Sequence, residues 1–245
     1  MAYSHQRAGN FFADTGYWEA YDMLAYGAWQ PTDNHGNDLR AMGEAKAEAR
    51  AGRGVSSYAE LHQWSVAEPE AFWDLVWDFC GVVGDKGETV LADGDKMPGA
   101  RFFPEARLNF AENLLRKSGP SDALVFKGED KVERRWSWDE LQGAVSRLQQ
   151  LFIDLGIKQG DRVAAMMPNM PETIACMLAA ASFGAVWSSC SPDFGEQGVL
   201  DRFGQIEPVL FIAPDGYWYN GKAIDIAAKI ALVAEKLPTV RKVLV

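Results

Sequence analysis

The sequence predicts an α/β fold, an open and mostly parallel doubly wound sheet preceded by a helical or irregular N-terminal cap. Short apolar runs alternate with helical patterns from Arg162 to Val245, which is typical of parallel strands joined by crossover helices. Such connections are right-handed, so each helix covers a face of the sheet. A hairpin pattern and a long amphipathic helix precede this alternation and complete a predicted domain at residues 122–245.

The region before this domain divides into two parts. Residues 1–55 give few signals, and we expect an irregular or partly disordered segment there. Residues 56–116 are predicted to form the cap, in which Ser57 and Glu60 begin one helix as a capping box and Pro69 begins a second. Five apolar residues share one face of the second helix and are expected to pack: Phe72, Trp73, Val76, Trp77 and Cys80.

The predicted domain begins with two alternating segments, 123–127 and 132–136, which indicate a β-hairpin. Ser137 with Glu140 then forms a capping box for a helix that ends before Gly156. The apolar stripe of this helix consists of Trp138, Leu141, Val145, Leu148, Phe152 and Leu155. One buried face is therefore expected.

A strand, a helix and a second strand follow without long joints. Residues 163–167 are an apolar run too short for a helix, residues 173–183 are an Ala-rich helical segment, and residues 185–189 form the second strand. Asn169 is the expected side-chain cap of this helix, and Pro171 suits its first turn. The almost uncharged run also has the length of a membrane span, but its Gly and Ser residues and its lack of basic anchors argue against one.

The alternation continues to the end of the sequence. Residues 196–206 and 224–237 are predicted helices, and residues 209–213 and 241–245 are predicted strands. The last of these strands would leave an apolar sheet edge exposed, so we expect the sequence to be the front part of a longer chain. Ligands of such sheets bind beyond the carboxyl ends of the strands, where three predicted loops leave the sheet: residues 168–172, 190–195 and 214–222.

Composition limits the function classes. The net charge of −10 argues against nucleic acid or an anionic membrane as the main partner. The three cysteines lack metal-binding spacing, and residues 1–16 lack the apolar core that is typical of a signal peptide. We therefore expect a reduced cytoplasmic protein without a metal site. Neither a glycine-rich phosphate loop nor a nucleophile elbow is present, and no residue is predicted to be catalytic.

Three residues are candidates for a functional role. Lys222 lies in a segment, residues 216–245, with five basic and two acidic residues, and it is either an anion-binding group or a solvated surface lysine. Asp193 precedes a predicted helix and either holds a ligand hydroxyl or, the favoured interpretation, caps that helix. Cys190 has no base near it in the sequence, so a buried inert thiol is favoured over a nucleophile.

Six segments resemble one family of enzymes. They read YAELHQWSV (58–66), DKMPGARFFP (95–104), RLNFAENLL (107–115), GAVWSSCSPDFG (184–195), VLDRFGQIEP (199–208) and YNGK (219–222). These strings resemble the acetoacetyl-CoA synthetases, within the wider group of adenylate-forming acyl-CoA synthetases. The resemblance implies an acyl-CoA synthetase N-terminal cap at residues 56–116 and the first part of an AMP-binding domain at residues 122–245.

The resemblance implies a ligase that uses ATP and Mg²⁺ to activate acetoacetate as an acyl-adenylate, after which the thiol of CoA displaces AMP. It also implies that Asp193, Tyr219 and Lys222 lie on the CoA-binding side, with Lys222 meeting a phosphate. The family's phosphate loop, adenine and ribose contacts, magnesium ligand and mobile-domain lysine come later than the position of Val245. We therefore expect the missing C-terminal part of the chain to be required, and these residues alone to bind no ligand tightly and to be inactive.

Two alternatives remain open. A related ligase that uses acetate, propionate or another short acid would share most of these features. A truncated chain that serves as a noncatalytic binding or assembly partner belongs to another class. Substrate profiling of the full-length protein tests the first alternative, and the reading frame after Val245 tests the second.

Overall fold

The structure is a computed structural model that describes the following residues: Glu48, 50–52, Gly54, 57–129 and 131–245. It divides into two compact units, one that ends at Leu108 and one at Asn109–Val245. The expectation of an irregular segment at residues 1–55 lies almost entirely outside the described residues. Each unit has a core of its own.

The first unit is built around two helices, α1 (Tyr58–Ala67) and α2 (Pro69–Cys80). Ser57 Oγ accepts a hydrogen bond from the backbone N–H of Glu60 at 3.3 Å, which confirms the predicted start of α1. The predicted start of α2 is also confirmed, because Pro69 is its first residue. Five side chains from the two helices form the core: Leu61, Trp64, Phe72, Leu75 and Val76.

Two short antiparallel strand pairs complete the first unit, and the sequence pattern does not indicate them. Their strands are β1 (Gly84–Asp85), β2 (Leu91–Ala92), β3 (Arg101–Phe102) and β4 (Arg107–Leu108). β1 pairs with β4, and β2 pairs with β3. A strand of two residues is too short to show the alternation of apolar and polar residues from which strands are predicted. The region that is predicted to be helical and irregular therefore also contains two short strand pairs.

The second unit begins with a hairpin and a long helix. Its first elements are α3 (Phe110–Leu114), β5 (Asp122–Gly128), β6 (Val132–Ser137) and α4 (Trp138–Asp154). β5 and β6 form the predicted hairpin. The capping box of α4 is complete, because Ser137 Oγ accepts from the Glu140 N–H at 3.2 Å and the Glu140 carboxylate accepts from the Ser137 N–H at 2.7 Å.

A four-stranded parallel sheet forms the centre of the second unit. Its elements are β7 (Arg162–Met166), α5 (Pro171–Ser182), β8 (Val186–Cys190), α6 (Glu196–Phe203), β9 (Leu210–Ile212), β10 (Gly216–Tyr219), β11 (Lys222–Asp225), α7 (Ala227–Glu235) and β12 (Lys242–Leu244). The order of the parallel strands is β12, β9, β7, β8, which confirms the predicted parallel sheet. β10 and β11 form a separate antiparallel hairpin.

Different helices cover the two faces of the sheet, as a doubly wound fold requires. Val163 and Ala165 of β7 pack on one face with α4 and α5, whereas Ala164 and Met166 pack on the other face with α6 and α7. All four side chains are fully buried. A ligand can therefore approach β7 only at its ends.

Two predictions about individual elements are wrong. Residues 224–225 belong to β11 rather than to the following helix, and the third predicted loop contains β10, because pairing within the hairpin overrides the helical pattern. The N-cap of α5 is Met170, and no side chain among the described residues caps it. With Pro171 as the first helical residue, Asn169 lies one residue too early to be the cap.

Candidate ligand-binding site

The carboxyl ends of the parallel strands meet at one edge of the sheet. Met166 pairs with Cys190 of β8, and Ala165 pairs with Ile212 of β9, so the segments after β7, β8 and β9 leave on the same side, as predicted. β8 lies on one side of β7 and β9 lies on the other. This reversal of strand order opens a crevice at the ends of β7 and β9, where doubly wound sheets bind their ligands.

Asp193, in the segment after β8, is fixed by two hydroxyl groups. Tyr217 of β10 donates its phenolic O–H to Asp193 Oδ1 at 2.6 Å, and Ser191 donates to Oδ2 at 2.9 Å. The Ser191 hydroxyl also accepts a hydrogen bond from the Asp193 N–H at 3.2 Å. The favoured interpretation of Asp193 as the cap of α6 is wrong, because Gly195 is the N-cap. The carboxylate instead joins this segment to the β10–β11 hairpin.

The β10–β11 hairpin carries the other two predicted binding residues at its tip. Tyr219 pairs with Lys222, and Tyr217 pairs with Ile224 nearer the base. Residues that pair directly, or that lie two apart on a strand, share a face, so Tyr217, Tyr219 and Lys222 share one. Asp193 contacts that face through Tyr217. The structure thus brings all three predicted residues to one side of the hairpin.

The tip of this hairpin is exposed. Tyr219 is 58% exposed, and Lys222 is exposed as well. The side chain of Lys222 has no ion-pair or hydrogen-bond partner within residues 57–129 and 131–245. The ammonium group of Lys222 can therefore bind an anionic group of a ligand, and the ring of Tyr219 can stack on a flat ring of the same ligand.

A two-residue turn, Asn220 and Gly221, closes the hairpin as the sequence predicts. Both residues have left-handed backbone, with φ of 50° and 71°, which is typical of a type I′ turn. Asn220 N–H donates to one carboxylate oxygen of Glu129 at 2.6 Å, and Gly221 N–H donates to the other at 2.8 Å. Glu129 lies in the β5–β6 turn, so this contact joins two hairpins that are distant in the sequence.

Helices α6 and α7 hold the segment after β8. Lys229 of α7 donates to the carbonyl oxygens of Pro192 and Phe194 at 2.8 and 3.1 Å. The guanidinium of Arg202 in α6 lies 4.1 Å from the centre of the Phe194 ring. Lys229 and Arg202 are therefore engaged within the protein, whereas Lys222 remains available to a ligand.

An apolar cavity of about 570 Å³ opens at the same edge of the sheet, on the side of α4 and α5. Its apolar lining includes Trp136, Met167, Met170 and Leu244. Glu172 at its wall is engaged, because both of its carboxylate oxygens accept hydrogen bonds from the guanidinium of Arg134. Apart from Glu172 and Arg147, the lining is apolar, which suits a largely apolar group of a ligand.

The two cysteines of the sheet domain are unsuited to nucleophilic chemistry. Cys190 ends β8 and Cys176 lies in α5, and both side chains are buried. Burial raises the pKa of each thiol to about 11, so both stay protonated at neutral pH. The structure confirms that Cys190 is buried, and its low reactivity stays a prediction.

The described part of the chain shows neither a cluster of metal-binding side chains nor a membrane-spanning helix. Residues 57–129 and 131–245 hold no group of three or more His, Cys, Asp or Glu side chains placed to bind a metal ion. No helix among them is long and apolar enough to cross a bilayer.

Titration tests the contact between Tyr217 and Asp193. The hydrogen bond to Asp193 raises the pKa of Tyr217 to about 12, because ionisation of the phenol would break the bond and place two anions together. Asp193→Asn is expected to lower this pKa by at least about 1 unit, towards the value of about 10 that is ordinary for tyrosine. The measurement is the ultraviolet absorbance of the phenolate, with Tyr217→Phe identifying the signal and Asp215→Asn as the control. An unchanged titration in Asp193→Asn would show that the two groups are not bonded in solution.

Comparison with known proteins identifies the family. Residues 111–245, more than half of the chain, match the family described as AMP-binding enzyme. The chain belongs to the AMP-binding enzyme family. Residues 58–114 match the family described as the acetyl-coenzyme A synthetase N-terminus.

This AMP-binding chain is similar to acetoacetyl-CoA synthetases. It is 66% identical over 193 residues to the acetoacetyl-coenzyme A synthetase of Rhizobium meliloti (strain 1021), which is 78% of this chain and 30% of that protein. Identity to the acetoacetyl-CoA synthetase of Macaca fascicularis is 38% over 223 residues, or 89% of this chain and 33% of that one. The solved structure of acetoacetyl-CoA synthetase from Streptomyces lividans matches with a TM-score of 0.78 and 36% identity, over 92% of this chain and 33% of that chain. The resemblance is confirmed, and the chain spans about a third of the length of these relatives.

Two residues of the site are not indicated by the sequence pattern. Tyr217 and Tyr219 lie two residues apart on β10 and so share a face. This relation follows from the sequence only when residues 216–219 are recognised as a strand. The sequence gives no signal for Glu129. It indicates that this residue lies in the turn of the β5–β6 hairpin, but not that its carboxylate binds the turn of the β10–β11 hairpin.

Proposed function

We propose that this chain forms the CoA-binding side of an acetoacetate–CoA ligase, an enzyme that joins acetoacetate to CoA at the expense of ATP. The observation that carries this proposal is the exposed hairpin tip with Tyr219 and Lys222, which follows the carboxyl end of β9 directly. Membership of the AMP-binding family supports the use of ATP with CoA. The names of the similar proteins support acetoacetate as the acid.

Each of the three residues has a separate proposed role. Lys222 meets a phosphate group of CoA, for which an unpaired ammonium is a suitable point charge. Tyr219 lies beside it and offers an aromatic face to the adenine ring of the same ligand. Asp193 acts indirectly, because it binds the hydroxyl of Tyr217 and so holds the base of the hairpin.

The adenylation step requires groups of another kind. With ATP and Mg²⁺ bound, the carboxylate of acetoacetate attacks the α-phosphorus and pyrophosphate leaves; the CoA thiol then displaces AMP. Donors that stabilise the developing charge usually supply the largest part of the rate enhancement. We assign these donors to the portion of the ligase that corresponds to the remaining length of the relatives. The free thiols favour a reducing compartment, and we place the ligase in the cytoplasm.

Titration of the 245-residue chain with CoA, followed by NMR chemical shifts, tests the proposal. We expect weak binding and, with ATP and acetoacetate added, no thioester. Lys222→Glu is expected to weaken CoA binding about tenfold or more, because repulsion of the phosphate replaces attraction.

The matched control is Lys158→Glu, which makes the same charge change at an exposed turn before β7, on the opposite edge of the sheet. Its affinity for CoA is expected to stay within about twofold of the wild type. Equal weakening by both variants would point to the net charge of the chain. Unchanged binding in Lys222→Glu would contradict the assigned site.

A further inference from the structure

We propose that Glu129 is a positioning residue of this site, whose carboxylate holds the turn that presents Tyr219 and Lys222 to the ligand. Asn220 N–H donates to Oε1 at 2.6 Å, and Gly221 N–H donates to Oε2 at 2.8 Å. One carboxylate thus binds both central N–H groups of the turn. The identity of the ligand rests on the proposed function, whereas the contact itself does not.

The chemistry of the turn explains why it takes a carboxylate. Tyr219 pairs with Lys222 across the tip, so the N–H groups of Asn220 and Gly221 point away from the ladder between the strands. Successive N–H groups in left-handed conformations converge on a concave, partly positive spot that binds anions. Glu129 fills that spot with charge-assisted hydrogen bonds, which are roughly twice as strong as neutral ones.

The hairpin needs an anchor at its tip. A hairpin of two strands is marginally stable in water without further contacts. The base of this one is held by the hydrogen bond from Ile226 N–H to the Asp215 carbonyl at 3.1 Å and by the contact of Tyr217 with Asp193. At the turn itself, Glu129 is the residue of the described chain that bonds from another element.

The position of Glu129 is itself constrained. Its φ of 51° is left-handed, a conformation that residues other than glycine seldom adopt. The β5–β6 ladder closes next to it with the Gly128–Val132 pair, and β6 continues directly into α4 through a complete capping box. The carboxylate therefore extends from the residue that directly follows the last pair of the β5–β6 ladder, so a strand pair supports its position.

Amide hydrogen exchange in the 245-residue chain tests the anchor without any ligand. In Glu129→Ala, the amides of Asn220 and Gly221 are expected to exchange at least about tenfold faster, because both lose their acceptor. Glu129→Gln keeps the side-chain length and one oxygen, and it is expected to restore the protection of one amide. The amides of β7 give the internal reference for global stability.

The control for this measurement is Glu133→Ala on the same hairpin. Glu133 is exposed, and its partner Lys127 lies 3.9 Å away, so its loss is expected to leave the exchange of both turn amides unchanged. Unchanged exchange in Glu129→Ala would overturn the proposal.

The affinity of the same variants for CoA tests the positioning role. Glu129→Ala is expected to weaken binding about fivefold, because the turn that carries Lys222 must then be ordered by the ligand. The affinity of Glu129→Gln for CoA is expected to stay within about twofold of the wild type. If Glu129 acted through its charge alone, Glu129→Gln would bind CoA as weakly as Glu129→Ala. Tighter binding by Glu129→Ala would show that the carboxylate competes with the ligand and would overturn the positioning role. Fast exchange in Glu129→Ala together with no CoA binding by the wild type would support the anchor and contradict the proposed function.

Discussion

Replacing Phe203 by alanine is expected to lower the free energy of unfolding by about 4 kcal/mol, the largest stability loss that we predict for one side chain. Phe203 of α6 is fully buried and meets Phe211 of β9 edge to face, with ring centres 6.0 Å apart. Truncation removes this aromatic pair and leaves a cavity between helix and sheet. The same cluster contains Cys190, so the loss also reaches the strand end that leads to Asp193. Chemical denaturation measures the effect.

Ile153→Ala on α4 is the control for this substitution. Its side chain is 53% exposed, so its truncation is expected to cost less than about 1 kcal/mol. A loss in Phe203→Ala as small as that of the control would mean that the neighbouring side chains collapse into the space. The packing on the α6–α7 face would then be looser than the structure shows.

The sheet can be predicted from the sequence because its signals are local. The apolar run that begins at Val163 is too short for a helix, and Pro171 fits only the first turn of one. The handedness of crossover connections then makes the strands parallel. The order of the strands does not follow, because β9 can join either edge of the first strand pair. That choice depends on how both faces are buried, which involves Phe203 and other residues far apart in sequence.

The site can be predicted only in part, for the same reason. Lys222 and the Asn-Gly turn are signalled by four adjacent residues. The residues that hold this turn in place are not signalled, because they are distant in the sequence. The Tyr217–Asp193 contact joins residues 24 apart, and the Glu129–Asn220 contact joins residues 91 apart. The sequence suggests that Asp193 is a helix cap because it precedes a predicted helix. The hydroxyl that binds its carboxylate instead belongs to Tyr217, which lies on another strand.

At about pH 8, Cys176 and Cys190 of the native chain are expected to react with an aromatic disulfide reagent at least about 100-fold more slowly than in the unfolded chain. Burial raises the pKa of each thiol to about 11, which leaves roughly one thiol in a thousand ionised, against about a quarter of ordinary thiols. The charge of Glu172 adds to the rise at Cys176. The measurement is the rate of reagent release, with serine variants assigning each slow reaction.

The effect of pH on stability has a definite sign. Because both folded pKa values lie above the ordinary value of about 8.5, the protonated thiols contribute to stability below that pH, and the contribution is lost as the pH rises through about 11. Cys80 is only half-buried and is the control expected to react first. Cys176 packs with the α4–α5 face and Cys190 with the α6–α7 face, so slow reaction of both requires both faces to stay closed. Fast reaction of one thiol alone would show which layer of helices opens, and equal rates for all three would contradict the burial of both.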